Sequence, residues 1–380
     1  MNILIAPDKF KDALPAAAVA DALRAGLARS LPGAKITCCP LADGGEGTLE
    51  VLHTVLGGEW ITATVSDPLG RPVAATYLWW PETQTAVIEM ARASGLELLS
   101  PSERNCLITS SYGTGELIRH ALDRGMRELV LTVGGTATHD GGTGMGAALG
   151  YTFYDAHGHL LTPAGHNLGQ ITRIGLESRH PGLADLRVTV ATDVTAPLCG
   201  PAGAAYLYAP QKGAPPEALP MLDAGLRHLG AYWRHHQGTD LQQLPGSGAG
   251  GGMGGGAVCL LGAHIRSAAD WILEVCDLHA LLTTADLLIT GEGKIDDQSL
   301  QGKLLSRLLA LARDTHTPAI LVCGTLDADD ALLLHPAVQY AVSILNRPLS
   351  LPEALTQTRP LLIRQGMLLG RWLQATAHQP

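Results

Sequence analysis

Lysine is scarce in this chain. Among the 26 basic residues only six are lysine, namely Lys9, Lys11, Lys35, Lys212, Lys294 and Lys303. Arginine therefore carries the routine surface charge. Five of the six, all but Lys35, fall in or beside loops bearing Gly or Asp. A lysine kept where arginine is the habit suits a site that needs a compact ammonium. A basic excess is also missing. The 26 basic residues face 35 acidic ones, for a net charge of -9, which speaks against a nucleic-acid partner. No apolar run approaches the ~20 residues of a membrane-spanning helix. The 7 cysteines show no C-x-x-C spacing, so reduced, mostly buried thiols and a cytoplasmic setting are expected. The opening MNILIAPDKFKD reads as a strand followed by charged residues rather than a signal peptide. No G-x-x-x-x-G-K-[ST] occurs, which excludes a Walker-type nucleotide loop.

What is present is 46% hydrophobic and 16% charged, a composition for packed domains. At 380 residues two domains are expected. Short apolar runs without alternation recur at 2–6, 35–42, 128–133, 187–192, 286–290 and 319–323. Such runs are strands buried on both faces. Each ends in polar punctuation. Helical spacing lies between them, as in Val19, Leu23, Leu27 and Leu31, or Leu304, Leu305, Leu308 and Leu309. The alternation predicts an α/β protein with a largely parallel sheet. The stretch 61–90 alternates instead, which predicts hairpins, with Trp79 and Trp80 packed there. A second α/β domain is thus expected as an insertion. The first domain would be built from both chain ends, residues 1–66 and 270–380, and the insertion would be 67–269.

Ligands of such sheets bind beyond the carboxyl ends of the strands. The loops there carry Asp8, Asp43, Glu46, Asp140, Asp193, Glu292 and Asp296. Two glycine-rich stretches, GGTATHDGGTGMGAALG and PGSGAGGGMGGGA, each precede a small-residue segment that could be helical. For the second, AVCLLGAHI is the expected helix. A run of open N–H groups at such a place cradles phosphate. Its G-x-G-x-x-G match has no preceding strand, so it is not a dinucleotide fingerprint. A flexible linker is the competing reading. Cradles, loop carboxylates and lysines are the parts of phosphoryl transfer. The plainer alternatives are that Asp43 and Asp140 serve turns or caps, Glu46 is a surface charge, and Lys212 is an ordinary loop lysine. His235 and His236 read as solvated surface.

The segments IAPDKFKDAL, PLADGGEGT, SSYGTGELI, TVGGTATHDGGTGMGAALG, ATDVTAPLCGPAGAA, PQKGA, PGSGAGGGMGGG and LLITGEGKIDDQSLQGK occur in this order. Together they resemble the bacterial glycerate kinase type 1 family, over nearly the whole chain. The resemblance implies a Rossmann-like domain and a second α/β domain around a cleft. It implies ATP- and Mg²⁺-dependent phosphorylation of D-glycerate, generally to 2-phosphoglycerate. On that reading Lys11 meets the substrate carboxylate or the transferring phosphate. Asp193 and Asp296 are the base and the Mg²⁺ ligand, in either order. Asp8, Asp43, Glu46 and Lys294 hold substrate. Gly134, Gly135, Thr136, Gly248, Gly251 and Gly254 face the phosphates of ATP. D-glycerate and ATP are the expected partners, without nucleic acid or membrane, and a homo-oligomer is left open. The family's usual FKGSLSA, GGSATNDGG and GEGRID read FKDALPA, GGTATHDGG and GEGKID here. His139 in place of Asn is expected to titrate near neutrality. A 3-phosphoglycerate-forming kinase, a nucleotide-dependent hydroxy-acid oxidoreductase and a sugar-acid sensor are the alternatives.

Overall fold

The computed structural model describes residues 1–296, 299, 304–328 and 330–376. The rest of the DDQSLQGK stretch, Lys303 included, lies outside the described residues apart from Asp296 and Ser299. The chain forms two compact units. One comprises Met1–Asp43, Glu50–Gly57 and Ala268–Pro380, the other Gly44–Leu49 and Gly58–Ser267.

The first unit holds a parallel sheet in the order Val338–Ser343, Ala319–Cys323, Leu287–Thr290, Asn2–Ile5, Lys35–Cys38. Ile3 lies in register between Leu287 and Ile36. The inner strands are the unbroken apolar runs, and Ile5, Ile289 and Ile320 have no exposed surface. That is the physical requirement of a strand covered on both faces. Helix Ala16–Ser30 follows Pro15, whose fixed φ of -65° suits a helix start. It buries Val19, Leu23 and Leu27, while Leu31 serves as its C-terminal cap.

Helix Ala16–Ser30 packs on the long helix Leu351–Thr376. Their backbones touch at two glycines. A β-carbon on Gly26 would lie 2.1 Å from the Ile363 carbonyl oxygen and 3.0 Å from Gly366 Cα. One on Gly366 would lie 2.5 Å from the Leu23 oxygen. The Ser30 hydroxyl donates to the Met367 carbonyl at 2.8 Å in the same interface.

The second unit holds a mixed six-stranded sheet. Strands His264–Arg266, Arg187–Ala191, Glu128–Thr132 and Thr85–Glu89 are parallel, and Pro72–Trp80 and Glu59–Ser66 add antiparallel to them. The alternating stretch is thus the hairpin edge of this sheet. Trp79 enters the core with Tyr77, Ile88 and Leu131. His235 and His236 are exposed, as their polar setting predicts.

The glycine run is neither linker nor open loop. It is part of helix Ala249–Leu261, interrupted by left-handed φ values of 63°, 71° and 89° at Gly250, Gly251 and Gly252. β-Carbons would meet the Thr138 oxygen at 2.1 Å from Gly251, the Gly246 oxygen at 2.3 Å from Gly254, and the Gly141 oxygen at 2.2 Å from Gly256. The helix expected over AVCLLGAHI is corrected as well. It ends at Leu261, Gly262 turns left-handed at φ 66°, and His264–Arg266 is a strand. Glycine's poor helix propensity is overridden by backbone packing that only glycine permits.

The helix–helix contact of the first unit gives a test. Gly26→Ala should destabilise the protein by about 1–3 kcal/mol through overpacking. A denaturant midpoint equal to wild type would show that the two helices part without cost.

Candidate active site

In the first unit, hydrogen bonds hold the strand-end loops together. The Thr290 hydroxyl donates to the Ala6 carbonyl at 2.7 Å, and the Asp8 N–H donates to the Gly291 carbonyl at 2.9 Å. The Leu41 N–H donates to the Pro7 carbonyl at 2.9 Å. A β-carbon on Gly293 would lie 3.2 Å from the Lys11 nitrogen. These ties gather the carboxyl groups of Asp8, Asp43 and Glu292 over Leu304, Leu305 and Leu308. Burial raises the Asp8 pKa to about 8, and the charges of Asp43 and Glu292 add to the rise. The Lys9 N–H, 2.6 Å from Asp8 Oδ1, and the Lys9 charge oppose it. Lys11 is exposed beside them. Lys294 sits on strand Lys294–Asp296 and pairs with Asp296 at 3.0 Å and Asp327 at 3.6 Å. Its side-chain pairing raises the ammonium pKa, with Asp296 the main cause.

In the second unit, Gly134 and Gly135 follow strand Glu128–Thr132 and reach solvent, with φ at Gly135 of +68°. The N–H groups of Gly134, Gly135 and Thr136 meet no acceptor among the described residues. Beneath them lies Lys212, which corrects its reading as a loop lysine. It is 3% exposed, and its ammonium donates to Thr136 Oγ1 at 3.0 Å and to the Thr138 carbonyl at 2.8 Å. Burial lowers its pKa to about 8. The one advance signal was a lysine in a chain that favours arginine.

Asp140 is a fastener, as its turn reading predicts. It is fully buried and accepts from the Ser111 N–H and hydroxyl at 2.7 and 2.8 Å, and from Gly142 and Gly144 N–H at 3.2 Å. His139 does not titrate near neutrality. Burial, then the Lys212 charge, lowers its pKa to about 3, so the ring stays neutral. Gly248, Gly251 and Gly254 are buried against backbone. A β-carbon on Gly134 would lie 3.0 Å from Gly45 Cα, so the loop bearing the exposed Glu46 abuts the Gly134 loop. That loop is anchored by Glu89, which the sequence reading missed. Glu89 is 2% exposed, accepts from the Leu49 N–H at 3.0 Å and pairs with Arg92 at 2.8 Å. A lone Glu closing the apolar strand TAVIE was its only trace. Asp193 follows strand Arg187–Ala191 and accepts from the Ser267 hydroxyl at 2.8 Å. It belongs to the second unit, and Asp296 to the first. Among the described residues no three His, Cys, Asp or Glu side chains form a metal-binding group.

The comparisons with known proteins point to one family. The glycerate kinase family model matches residues 3–374. A glycerate kinase of Haemophilus influenzae is 38% identical over 378 residues, covering all of both chains. The glycerate 2-kinase of Escherichia coli K12 is 38% identical over 354 residues, 93% of each chain. A crystal structure from Salmonella typhimurium LT2, described as a glycerate kinase 2, superposes with a TM-score of 0.88 at 36% identity and full coverage of both chains. A match of this extent, over a fold built on parallel strands with acidic loops at their ends, places the chain in the glycerate kinase family.

Proposed function

We propose that the protein transfers the γ-phosphoryl group of ATP to the C2 hydroxyl of D-glycerate, giving 2-phosphoglycerate and ADP in the cytoplasm. The observation that carries this is the Gly134–Thr136 loop, whose open N–H groups lie above a buried ammonium. Such a surface binds phosphate oxygens. Glu46, on the loop against Gly134, and Asp8 and Asp43 of the first unit would hold the hydroxyls of glycerate. Lys11 and Lys294 would supply cations for its carboxylate or for the moving phosphoryl group.

In the transfer, the oxygen of the attacking hydroxyl forms a bond to phosphorus as the bond to the ADP oxygen breaks. The hydroxyl proton passes to a carboxylate. Asp193 is the proposed acceptor, since Ser267 fixes its orientation and it stands at a strand end. Mg²⁺ has two proposed seats in the first unit. Asp296 is one, but Lys294 already meets its charge. The Asp8, Asp43 and Glu292 group fits better, because burial and then the neighbouring carboxylate charges disfavour an ionised Asp8, and a hard cation would relieve both. The lack of a closed three-ligand group suits an ion that uses one or two carboxylates plus phosphate and water. When bound, the ion neutralises phosphate charge. Gly251 supports the cradle from behind, on this proposal, by letting the Thr138–His139 backbone pack close, while Gly248 and Gly254 let the run itself pack on the Pro197 and Gly246 carbonyls.

The E. coli relative's name, glycerate 2-kinase, favours C2. A carboxylate fixed by Lys11 also keeps the C2 hydroxyl near its anchor, whereas C3 can swing away. Positioning decides which hydroxyl reacts. ADP formation from ATP should require D-glycerate, which separates a kinase from a sensor or an oxidoreductase. With mutase-free enolase present, phosphoenolpyruvate should form at once. A signal that needs added mutase would assign the product as 3-phosphoglycerate and leave the kinase standing.

Asp193→Asn should fold, by circular dichroism, and lose at least ~10²-fold in kcat, the scale of a missing general base. A folded variant within a few-fold of wild type would remove Asp193 from the chemistry.

A further inference from the structure

We infer that Lys212 is a positioning residue of the phosphate cradle, acting through the Thr136 hydroxyl. The inference rests on the reading of Gly134–Thr136 as that cradle.

A lysine ammonium has three N–H donors and no acceptor, and a hydroxyl has one donor and two acceptor positions. In the contact at 3.0 Å the Thr136 oxygen must therefore accept. Its own O–H remains to donate elsewhere, and no acceptor for it is found among the described residues. Thr136 is 3% exposed and follows the exposed Gly135, so the donor lies just below the loop's open N–H groups. A hydroxyl polarised by an ammonium behind it is a stronger donor than a free one. The second bond, to the Thr138 carbonyl at 2.8 Å, fixes the ammonium on the far side of the same loop.

The hydrogen bonds of Lys212 go to neutral oxygens, and Asp140 supports the ammonium only through its charge. The ionisable groups facing it are Asp140, Cys106 and His139. Asp140 already accepts four hydrogen bonds from Ser111, Gly142 and Gly144. The Cys106 thiol is pushed up to about 11 by burial, and His139 is held neutral. Burying an ammonium whose hydrogen-bond partners are both neutral is costly, and an arriving anion would offset that cost. Lowered to about 8, Lys212 carries its charge below that pH and loses it above. Anion binding should therefore weaken as pH rises from 7 to 9. At one unit above the pKa about a tenth of the ammonium remains. Phosphate monoesters are already fully ionised there, with a second pKa of about 6.

Calorimetric titration of the full chain with ADP tests this. Wild-type affinity should fall about tenfold from pH 7 to 9. Lys212→Met should bind at least ~10-fold more weakly at pH 7, with a flat pH profile, and should raise the KM for ATP more than it lowers kcat. Thr136→Val should weaken binding and Thr136→Ser should restore it. Gly135→Asp, at a left-handed position Asp tolerates, puts a negative charge in the cradle and should abolish binding. A folded Lys212→Met with wild-type affinity and slope overturns the inference. If that variant does not fold, equal affinities of Thr136→Val and Thr136→Ser overturn it. Undisturbed ADP binding by Gly135→Asp overturns the cradle reading and this inference together. Loss of binding in Gly135→Asp alone, with Lys212→Met unaffected, removes only the role of Lys212.

Discussion

A β-carbon on Gly291 would stand 1.8 Å from the Val322 carbonyl oxygen. Two neighbouring strand ends therefore leave the sheet in backbone contact, and a loop with a side chain at this point would be pushed outward. The same constraint recurs at other strand-end loops of the candidate site. Gly293 lies against Phe10 and Lys11, Gly324 against the Gly293 carbonyl, and Gly251 against Thr138. Glycine costs backbone entropy on folding. The return is that strand-end loops pack main chain to main chain, so that the side chains they bear are fixed by hydrogen-bonded backbone.

The two units use that rigidity for opposite electrostatics. In the first, loops fixed by glycine crowd carboxyl groups until Asp8 holds its proton to about pH 8. In the second, a loop fixed by glycine and by Asp140 is underlain by an ammonium that burial pulls down to about 8. Both shifts come first from burial, so each site resists its own charge. A crowded carboxyl group seeks a cation and a buried ammonium seeks an anion. On the proposed function, a cation would relieve the first shift and a phosphate group the second.

Most of the fold was legible because parallel strands announce themselves. NILI, ELVLT, RVTVA, LLIT and AILVC are continuous runs, and only a strand covered on both faces needs that pattern. The polar loops after them marked the candidate site, since ligands of such sheets bind beyond the strand carboxyl ends. The run at 245–257 was not legible. Gly251, Gly252 and Gly256 meet the 138–141 backbone and Gly248 meets Pro197, and local sequence cannot report what lies opposite. Lys212 and Glu89 were hidden for a related reason. Each is a single charged residue whose importance comes from burial, and PQKGA and TAVIE look alike whether buried or exposed. His139 misled because an unperturbed imidazole titrates near neutrality, whereas one without exposed surface beside an ammonium does not.

The departures from the family pattern then become physical statements. Asp12 stands where the family usually has Gly, and its φ is +61°. The left-handed region explains the usual glycine, and Asp is among the few other residues that visit it readily. Lys294 replaces an arginine, yet it pairs with Asp296 and Asp327 together, at 3.0 and 3.6 Å. A compact ammonium placed near two carboxylates meets both without the bidentate fork that one carboxylate would exploit. His139 replaces an amide at a position with no exposed surface. Burial first, and then the positive charge of Lys212 next to it, keeps the ring neutral. The three substitutions share one rule: each preserves the backbone conformation or the charge its neighbours demand, and alters only what those neighbours leave free.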